Sequence, residues 1–225
     1  MPASVPLDNC ARNSQSNPAL ESAVLKDRQL FLKGAVDIIG SALLLLLTAP
    51  LIAICGLLVR LQDGGPAIHR RRVIGRYGEF DAFKLRTMRP DADEVLTRDP
   101  WLRQRFEINF KLKDDPRVTR FGAFLRRSCL DELPQLWNVL RGEMSLVGPR
   151  MISTQELARY GDASWIFKVM KPGLTGHWQV NGWAAVEYEQ RVAMDRWYVE
   201  NWSLLTDLTI LFKTPLRVLR GKGRF

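Results

Sequence analysis

The chain has 225 residues, 46% of them hydrophobic and 25% charged, so it can bury one globular core and is too short to require several. Lys and Arg outnumber Asp and Glu by 33 to 24, so the folded surface should attract polyanions such as nucleic acid, anionic lipid or phosphorylated metabolites. The 3 cysteines lie far apart and the 2 histidines are too few for a histidine-based metal site, which excludes a disulfide framework and a typical zinc site.

The amino-terminal third of the chain contains a tail and an apolar segment. The tail mixes Ser, Asn, Pro and Ala with scattered charges and shows no periodicity, so we predict disorder over residues 1–28. Residues 38–59 contain no charged side chain, and as a helix they are long enough to reach across or deeply into a bilayer. We therefore predict a membrane-embedded helix over residues 29–62.

The flanks and the centre of this segment bear on its topology. Basic residues stand on both sides of it, and because cytoplasmic loops collect such residues, both ends favour the same side of a membrane. Pro50 lies near the middle, where it removes one backbone hydrogen bond and predicts a bend at residues 48–50. A helix that enters one leaflet and turns back and an ordinary spanning helix fit these features equally well.

The rest of the chain, residues 63–225, reads as one domain of the α+β class, mostly helical with a short β-sheet. Strand-like segments at residues 67–74 and 80–88 flank a turn-rich stretch and predict a hairpin. Residues 145–147 predict a short strand or turn. Helices are predicted at residues 91–110, 117–127, 130–140, 153–160, 186–202 and 204–219, the last interrupted by Pro215.

Two adjacent carboxylates, Asp131 and Glu132, stand at the start of the helix predicted for residues 130–140, whose first turn Ser128 could cap. Acidic residues are favoured in any first helical turn, so capping alone would explain an isolated pair. Here several arginines are close in sequence, and a helix N-terminus also offers amide groups to phosphate. Carboxylates among arginines beside an anion site indicate phosphoryl chemistry. The neighbouring arginines are Arg126, Arg127, Arg141 and Arg150.

The two carboxylates are expected to have different roles. Adjacent helical positions point in different directions, so Asp131 and Glu132 should not act on one atom as a matched acid and base. One can attack phosphorus, while the other holds a Mg²⁺ that bridges diphosphate oxygens. Carboxylate and water ligands suit Mg²⁺ better than a softer metal.

Two further strings place basic side chains where a phosphate could bind. Apolar and basic residues alternate around Lys84 and Arg86, which as a strand puts both on one face, although a solvated strand face fits equally well. A hydrophobic strand also leads into a turn stiffened by Pro149, which would hold the Arg150 guanidinium in a fixed place. Taken by itself, that second string is better explained as a structural turn.

Taken together, these strings closely resemble the bacterial sugar transferase family, the monotopic polyprenyl-phosphate phosphoglycosyl transferases that begin capsule, glycan and exopolysaccharide synthesis. The short length and the lack of an amino-terminal membrane bundle look most like the small exopolysaccharide-initiating members, including hexose-1-phosphate transferases. The strings that carry the resemblance are Lys33 and Asp37, Phe83-Lys84-Leu85-Arg86-Thr87-Met88, Asp115-Pro116-Arg117, Leu130-Asp131-Glu132-Leu133-Pro134-Gln135, residues 144–150, residues 172–176, Trp202-Ser203 and Arg220-Gly221-Lys222-Gly223.

The resemblance implies a two-step reaction. Asp131 would attack the sugar-linked phosphorus of a UDP-sugar, with a hexose such as galactose or glucose, and release UMP. Undecaprenyl phosphate would then collect the phosphosugar from the enzyme. Glu132 would help to hold Mg²⁺, Lys84 would contribute charge near the site, and Arg126 and Arg150 would bind phosphate oxygens. The substrate-binding residues implied or predicted in this way are Lys84, Arg86, Arg126, Pro149 and Arg150.

The resemblance also implies a re-entrant membrane helix bent at Pro50, and a catalytic domain on the cytoplasmic face of the bacterial inner membrane. Amphipathic helices near the carboxyl terminus would rest on anionic lipids. No nucleic-acid module is recognisable, so nucleic acid is not an expected partner, and a homodimer is left open. The alternative function is a non-catalytic basic membrane scaffold for phosphate-rich partners, which gives no role to Asp131 beside Glu132.

The chain departs from the family pattern at four positions. Cys129 stands where many members have Ser, Ala49 where Ser commonly precedes the bend proline, and Met151 where Pro often follows the Gly-Pro-Arg string. Trp183 replaces an Arg that is frequent in relatives. These changes leave the proposed chemistry in place but do not identify the hexose.

Overall fold

In the computed structural model the chain forms one long amino-terminal helix and a mostly helical body with two small sheets, as the sequence predicts. The structure describes residues 27–109, 112, 114–182 and 187–220. The disorder predicted for residues 1–28 therefore falls almost entirely outside the described residues. Trp183 and the closing string at residues 221–223 also lie outside them.

Helix α1 extends over Asp27–Asp63 and continues through Pro50. Among the described residues it is long and apolar enough to cross a membrane by length and composition, with a mean hydropathy of 2.7. Only 11% of its most apolar stretch is buried by the rest of the protein. An apolar helix that the protein itself leaves uncovered requires another apolar environment. Its most exposed large apolar side chains include Leu43, Leu46, Leu47, Ile54, Leu57 and Leu61.

The predicted hairpin is confirmed. Strand β1, Ile68–Gly75, pairs antiparallel with β2, Gly78–Leu85, through a two-residue turn. The register places His69 opposite Lys84 and Val73 opposite Phe80. The face that carries Val73, Phe80 and Ala82 is buried in the main hydrophobic core.

The remaining elements largely follow the sequence pattern. A 3-10 turn, Leu130–Glu132, precedes the short helix Gln135–Leu140, and a second one, Gly161–Trp165, precedes the helix Ile166–Val169. Strand β3, Ser145–Val147, pairs in parallel with β4, Gly173–Thr175. The helices after the hairpin are α2, Ala92–Arg98; α3, Pro100–Asn109; α4, Arg120–Ser128; α5, Gln135–Leu140; α6, Thr154–Tyr160; α7, Ile166–Val169; α8, His177–Asn181; α9, Tyr188–Glu200; and α10, Leu204–Arg220.

Prolines account for two differences from the prediction. The single helix predicted for residues 91–110 is two helices, because Asp99 is extended before Pro100, as a residue preceding proline prefers to be. The interruption predicted at Pro215 is wrong, since α10 continues through it. Proline is tolerated inside a helix where neighbouring groups compensate for the lost hydrogen bond.

A buried polar network fastens the first half of α1 to the body. The Lys33 ammonium lies 2.6 Å from a carboxylate oxygen of Asp207 and donates to the Val147 carbonyl at 2.8 Å. Asp207 also accepts hydrogen bonds from the Tyr198 hydroxyl at 2.7 Å and the Trp202 indole nitrogen at 3.1 Å. A buried ion pair is favourable only when its remaining hydrogen-bonding capacity is met in this way.

One helical turn further on, Asp37 joins α1 directly to β3. Its carboxylate accepts from the Ser145 hydroxyl at 3.0 Å and from the Leu146 N–H at 2.9 Å. The side chain of Leu146 also lies against Gly40, where a Cβ would come within 2.8 Å of it. The first half of α1 is therefore fixed to the strand that leads into Gly148-Pro149-Arg150.

The second half of α1 contacts the same body at a different place. Val59 and Cys55 pack against Leu85 and Leu125 in a second apolar cluster. Residues 42–54, between the two contact regions, contain no fully buried side chain. Both ends of the helix are thus attached to one domain, while most side chains in its middle are exposed and only Leu45 and Ile52 pack against the apolar clusters.

Candidate active site

The two adjacent carboxylates lie in a tight turn rather than at the start of a long helix. Helix α4 ends at Ser128, and Cys129 adopts the left-handed conformation with φ 61° before the 3-10 turn Leu130–Glu132. Left-handed backbone costs a residue with a side chain about 1 kcal/mol or more. Strain of this kind is typical of functional turns, and here it immediately precedes Asp131 and Glu132.

The predicted capping role of Ser128 is wrong. Its hydroxyl donates backwards to the carbonyls of Phe124 at 2.9 Å and Leu125 at 3.2 Å, at the end of α4. The helix predicted from residue 130 begins only at Gln135, directly after Pro134. The local backbone therefore presents the carboxylates in a short turn between two helices.

Asp131 is a buried carboxylate, with only 7% of its surface exposed. Burial, and then the negative charge of Glu132, raise its pKa to about 7, while Lys84 and Arg126 act in the opposite direction. The fold therefore favours the protonated form of this carboxyl group far more than water does. A carboxylate whose ionisation the fold opposes contributes little to stability and is a strong candidate for chemistry.

Glu132 has the opposite electrostatic character. Burial acts to raise its pKa, but Lys84, Arg150 and Arg71 together lower it below the ordinary value. The Lys84 ammonium lies 3.0 Å from its Oε1 atom. Neighbouring carboxylates with pKa values displaced in opposite directions are suited to different tasks.

The structure brings most of the predicted binding residues to these carboxylates. Lys84 reaches them from β2, and Arg126 reaches them from α4, where its Nε donates to the Thr87 hydroxyl at 2.9 Å. Pro149 accepts from the Gly173 N–H at 2.9 Å, which pins the turn that carries Arg150 to β4. Arg150 then acts electrostatically on Glu132.

The contacts that Arg86 makes are at the end of α1, and its predicted binding of substrate stays a prediction. Its guanidinium forms an ion pair with Asp63 and donates to the carbonyls of Pro66 at 2.8 Å and Val59 at 3.4 Å. These partners lie at the carboxyl end of α1 and in the segment that follows it. The hydrogen bonds of Arg86 therefore hold α1 against the hairpin.

Sequence reasoning missed a polar cluster behind Arg150. Arg71 of β1 binds Glu156 at 2.8 Å. Asp195 of α9 is fully buried and accepts from the Tyr160 hydroxyl at 2.9 Å and the Arg150 backbone N–H at 3.2 Å. Burial raises the pKa of Asp195 to about 7, against those hydrogen bonds and the nearby arginines. In the sequence, the one feature that could have pointed to a buried Asp195 is its helical spacing from Tyr188 and Val199, which places it on the same face of α9 as these buried residues.

The carboxylate pair fits a magnesium ion better than a metal that needs a full set of protein ligands. Across the described ranges, no group of 3 or more His, Cys, Asp or Glu side chains is placed to hold a metal ion. Magnesium commonly uses one or two carboxylates and completes its shell with water and substrate phosphates. Glu132, whose pKa is lowered, supplies one such carboxylate.

The chain is similar to proteins of known families over most of its length. Residues 28–221 match the family described as bacterial sugar transferase. An undecaprenyl-phosphate galactose phosphotransferase of Salmonella typhimurium is 46% identical over 211 residues, which are 92% of this chain and 44% of that protein. A UDP-galactose-lipid carrier transferase of Erwinia amylovora is 47% identical over 206 residues, 89% of this chain and 43% of that protein.

A third relative is similar in length. An exopolysaccharide production protein of Rhizobium meliloti is 43% identical over 198 residues, which are 86% of this chain and 88% of that protein. The chain thus spans less than half the length of the Salmonella and Erwinia relatives and nearly all of the Rhizobium one.

Replacing Asp131 with Asn removes a carboxylate whose ionisation is opposed by burial, so it should stabilise the protein. Because the folded pKa of about 7 exceeds the ordinary value of 3.8, the parent loses stability as the pH rises from about 4 to about 7. The D131N variant should therefore unfold about 5 °C higher than the parent at pH 8, and with a smaller difference at pH 5, in thermal melts.

The matched control for that melt is Glu132→Gln. It removes a carboxylate of lowered pKa and its contact with Lys84, so it should lower the melting temperature at pH 8. A D131N variant that melts at or below the parent at pH 8 would show that burial does not oppose the ionisation of Asp131.

Proposed function

The chain belongs to the bacterial sugar transferase family, and from this premise we propose that it transfers a sugar 1-phosphate from a UDP-sugar to undecaprenyl phosphate and so begins exopolysaccharide synthesis. The names of the Salmonella and Erwinia relatives, a galactose phosphotransferase and a UDP-galactose-lipid carrier transferase, support this reaction. Hexoses such as galactose or glucose are the expected sugars. The observation that carries the proposal is the buried Asp131 carboxyl group beside Glu132, whose ionised form Lys84 and Arg126 favour.

In the first step, a carboxylate oxygen of Asp131 attacks the phosphorus that carries the sugar. The new bond joins that oxygen to phosphorus, and the phosphorus–oxygen bond to UMP breaks, with the electron pair leaving on UMP. Burial makes the ionised carboxylate more reactive because water does not solvate it well. Lys84 and Arg126 offset the negative charge that gathers around phosphorus.

In the second step, an ionised oxygen of undecaprenyl phosphate attacks the same phosphorus. The bond to Asp131 breaks, and its electron pair restores the carboxylate. The attacking group carries no proton that has to be removed, so the step needs positioning and charge neutralisation more than a general base. One phosphoanhydride of UDP-sugar is exchanged for another, which requires no external source of energy.

Magnesium is part of the proposal. Glu132 is the residue that would hold the ion, because its lowered pKa keeps it ionised. A bound ion would supply charge neutralisation for the diphosphate of the substrate. Asp131 then remains available for attack on phosphorus.

We also propose that α1 enters and leaves a membrane on one side. Three observations support a re-entrant helix: both ends of α1 are fastened to one domain, Pro50 removes a backbone donor in the middle, and Thr48 donates to the Leu44 carbonyl at 2.7 Å. A hydroxyl that binds back to the preceding turn favours bending. The domain would then lie on the cytoplasmic face of the inner membrane, where UDP-sugars are available.

Helix α10 would rest on the same membrane surface. Asp207 and Ile210 are buried on its inner face, whereas its outer face exposes large apolar side chains. An exposed apolar stripe beside basic residues suits a helix lying among anionic lipid headgroups. The exposed apolar residues of α10 are Leu205, Leu208, Phe212, Leu216 and Leu219.

The proposed reaction is tested with purified protein in lipid nanodiscs, Mg²⁺ and a panel of UDP-sugars, with and without undecaprenyl phosphate. We expect UMP release and lipid-linked sugar phosphate with at least one UDP-hexose. Asp131→Asn should lower turnover by at least about a thousandfold, since it removes the attacking oxygen. The exposed carboxylate of Asp162 provides a matched control, and Asp162→Asn should keep the activity of the parent.

Two results of that assay would overturn the proposal. One is release of free sugar phosphate at the same rate without the lipid, which would indicate a hydrolase. The other is no turnover of any UDP-sugar while the protein still binds phosphate-rich ligands, which would indicate a scaffold.

The re-entrant helix is tested by protease access to tags placed before Met1 and after Phe225. Both tags should be protected in intact spheroplasts and both cleaved in inverted inner-membrane vesicles. Cleavage of one tag from each side would establish a spanning helix instead.

A further inference from the structure

Two arginines from distant parts of the chain meet at one tryptophan ring. The guanidinium carbons of Arg150 and Arg191 lie 5.0 Å and 4.7 Å from the ring centroid of Trp178, which is buried. The two carbons cannot be further apart than these distances combined. Two like charges within this range in a buried region repel each other, and an anion near both would offset that repulsion.

Several hydrogen-bond donors in this arrangement are left unused. The Nε atoms of Arg150 and Arg191 and the indole nitrogen of Trp178 are buried and have no hydrogen-bond partner within the part of the chain that the structure describes. Buried donors are almost always paired in folded proteins, with protein groups or with a bound species. Three of them around one ring mark a place for a group rich in acceptor oxygens.

The carboxylates nearby do not neutralise the two arginines. Glu156 is engaged with Arg71 and with the Ser153 backbone N–H, at 2.8 Å and 3.0 Å. Asp195 uses one oxygen for Tyr160 and the Arg150 backbone, its other oxygen has no partner among the described residues, and burial raises its pKa to about 7. The group formed by Arg71, Glu156, Arg150, Arg191 and Asp195 therefore keeps a net positive charge at neutral pH.

The cluster adjoins the reacting centre through Arg150. The charge of Arg150 lowers the pKa of Glu132, and after burial it is the largest influence that lowers the pKa of Arg191. Arg150 thus acts electrostatically on both Glu132 and Arg191. An anion that Arg150 and Arg191 bind together would therefore lie in the same charged region as the carboxylate pair.

In the proposed reaction two anions, UMP and undecaprenyl phosphate, require a cationic binding site beside the reacting phosphorus. UMP leaves phosphorus on the side opposite Asp131, and undecaprenyl phosphate must later attack from that side to displace Asp131. Both are phosphate monoesters. Building on the proposed function, we propose that Arg191 and Arg150, held by the ring of Trp178, form one subsite for the phosphate monoester of UMP as it leaves and of the lipid as it enters.

The contacts suit a phosphate monoester. A guanidinium donates through two parallel N–H groups to two oxygens of one phosphate, and two arginines can grip its terminal oxygens from two sides. The aromatic ring holds the two cations close without neutralising them. Arg191 is then a substrate-binding residue that acts in both half-reactions.

The first test measures UMP binding by calorimetry with the full chain in nanodiscs. Arg191→Met should weaken UMP binding at least tenfold, and Arg191→Lys should weaken it less, because Lys keeps the charge and loses the paired donors. Arg196→Met is the matched control, since Arg196 lies on the same helix in an exposed pair with Glu200, and it should bind UMP like the parent. Parental UMP affinity in Arg191→Met, or in Arg191→Lys should the Met variant not fold, overturns the subsite.

The second test asks whether the lipid uses the same subsite. Enzyme loaded with phosphosugar is freed of UMP, undecaprenyl phosphate is added below saturation, and the loss of the adduct is timed. Arg191→Met should slow this step at least tenfold. An unchanged rate together with weakened UMP binding overturns a shared subsite.

These two tests separate the subsite from the overall reaction. UMP titration requires no transfer of sugar phosphate, so UMP affinity can depend on Arg191 even in a protein that transfers nothing. In that case the proposed function fails and the subsite stands. If Arg191→Met makes lipid-linked product at the parental rate and binds UMP with parental affinity, the proposed function stands and the subsite proposal fails.

Discussion

The buried ion pair between Lys33 and Asp207 determines where the site lies relative to the apolar helix. Tyr198 and Trp202 complete the hydrogen bonding of the carboxylate, and a carbonyl of β3 accepts from the ammonium. Removal of either partner would leave an uncompensated buried charge, which proteins rarely tolerate. Because β3 leads directly into the turn that carries Arg150, this contact fixes the position of that guanidinium against a helix that the protein does not cover. Because Asp207 belongs to α10, the ion pair also fixes α10, whose outer face is apolar, against α1.

The pKa values of the two adjacent carboxylates, Asp131 and Glu132, are shifted in opposite directions by their surroundings. The fold holds Asp131 in a dry turn, next to the charge of Glu132, and places the cations so that they favour the ionised form of Glu132 more than that of Asp131. The excess of basic residues in the sequence is consistent with this arrangement, since Lys84, Arg126 and Arg150 all lie near the carboxylates. A site built for successive phosphate anions has to keep such an excess before any ligand arrives.

The sequence predicts local structure well where periodicity and turn residues decide it, as in the hairpin, β3 and the helix containing Glu156. Residue type and neighbouring charge also point to the carboxylate pair, around which the structure places Lys84 and Arg126. Sequence reasoning fails where a competing local bond or a distant segment decides the outcome. Ser128 binds back into its own helix, and Pro134 delays the start of the next one. Asp195 and Arg191 enter the site from α9, a long way along the chain, and no spacing rule connects them with Arg150.

The central claim is that Asp131 carries the phosphosugar between its two carriers. The most direct measurement is mass spectrometry of the protein after incubation with Mg²⁺ and a UDP-hexose in the absence of undecaprenyl phosphate, followed by peptide mapping. The account predicts one hexose phosphate bound covalently to the peptide that contains Asp131, and its disappearance when the lipid is added. An adduct on another residue, or lipid-linked product formed at the parental rate by D131N, would contradict it.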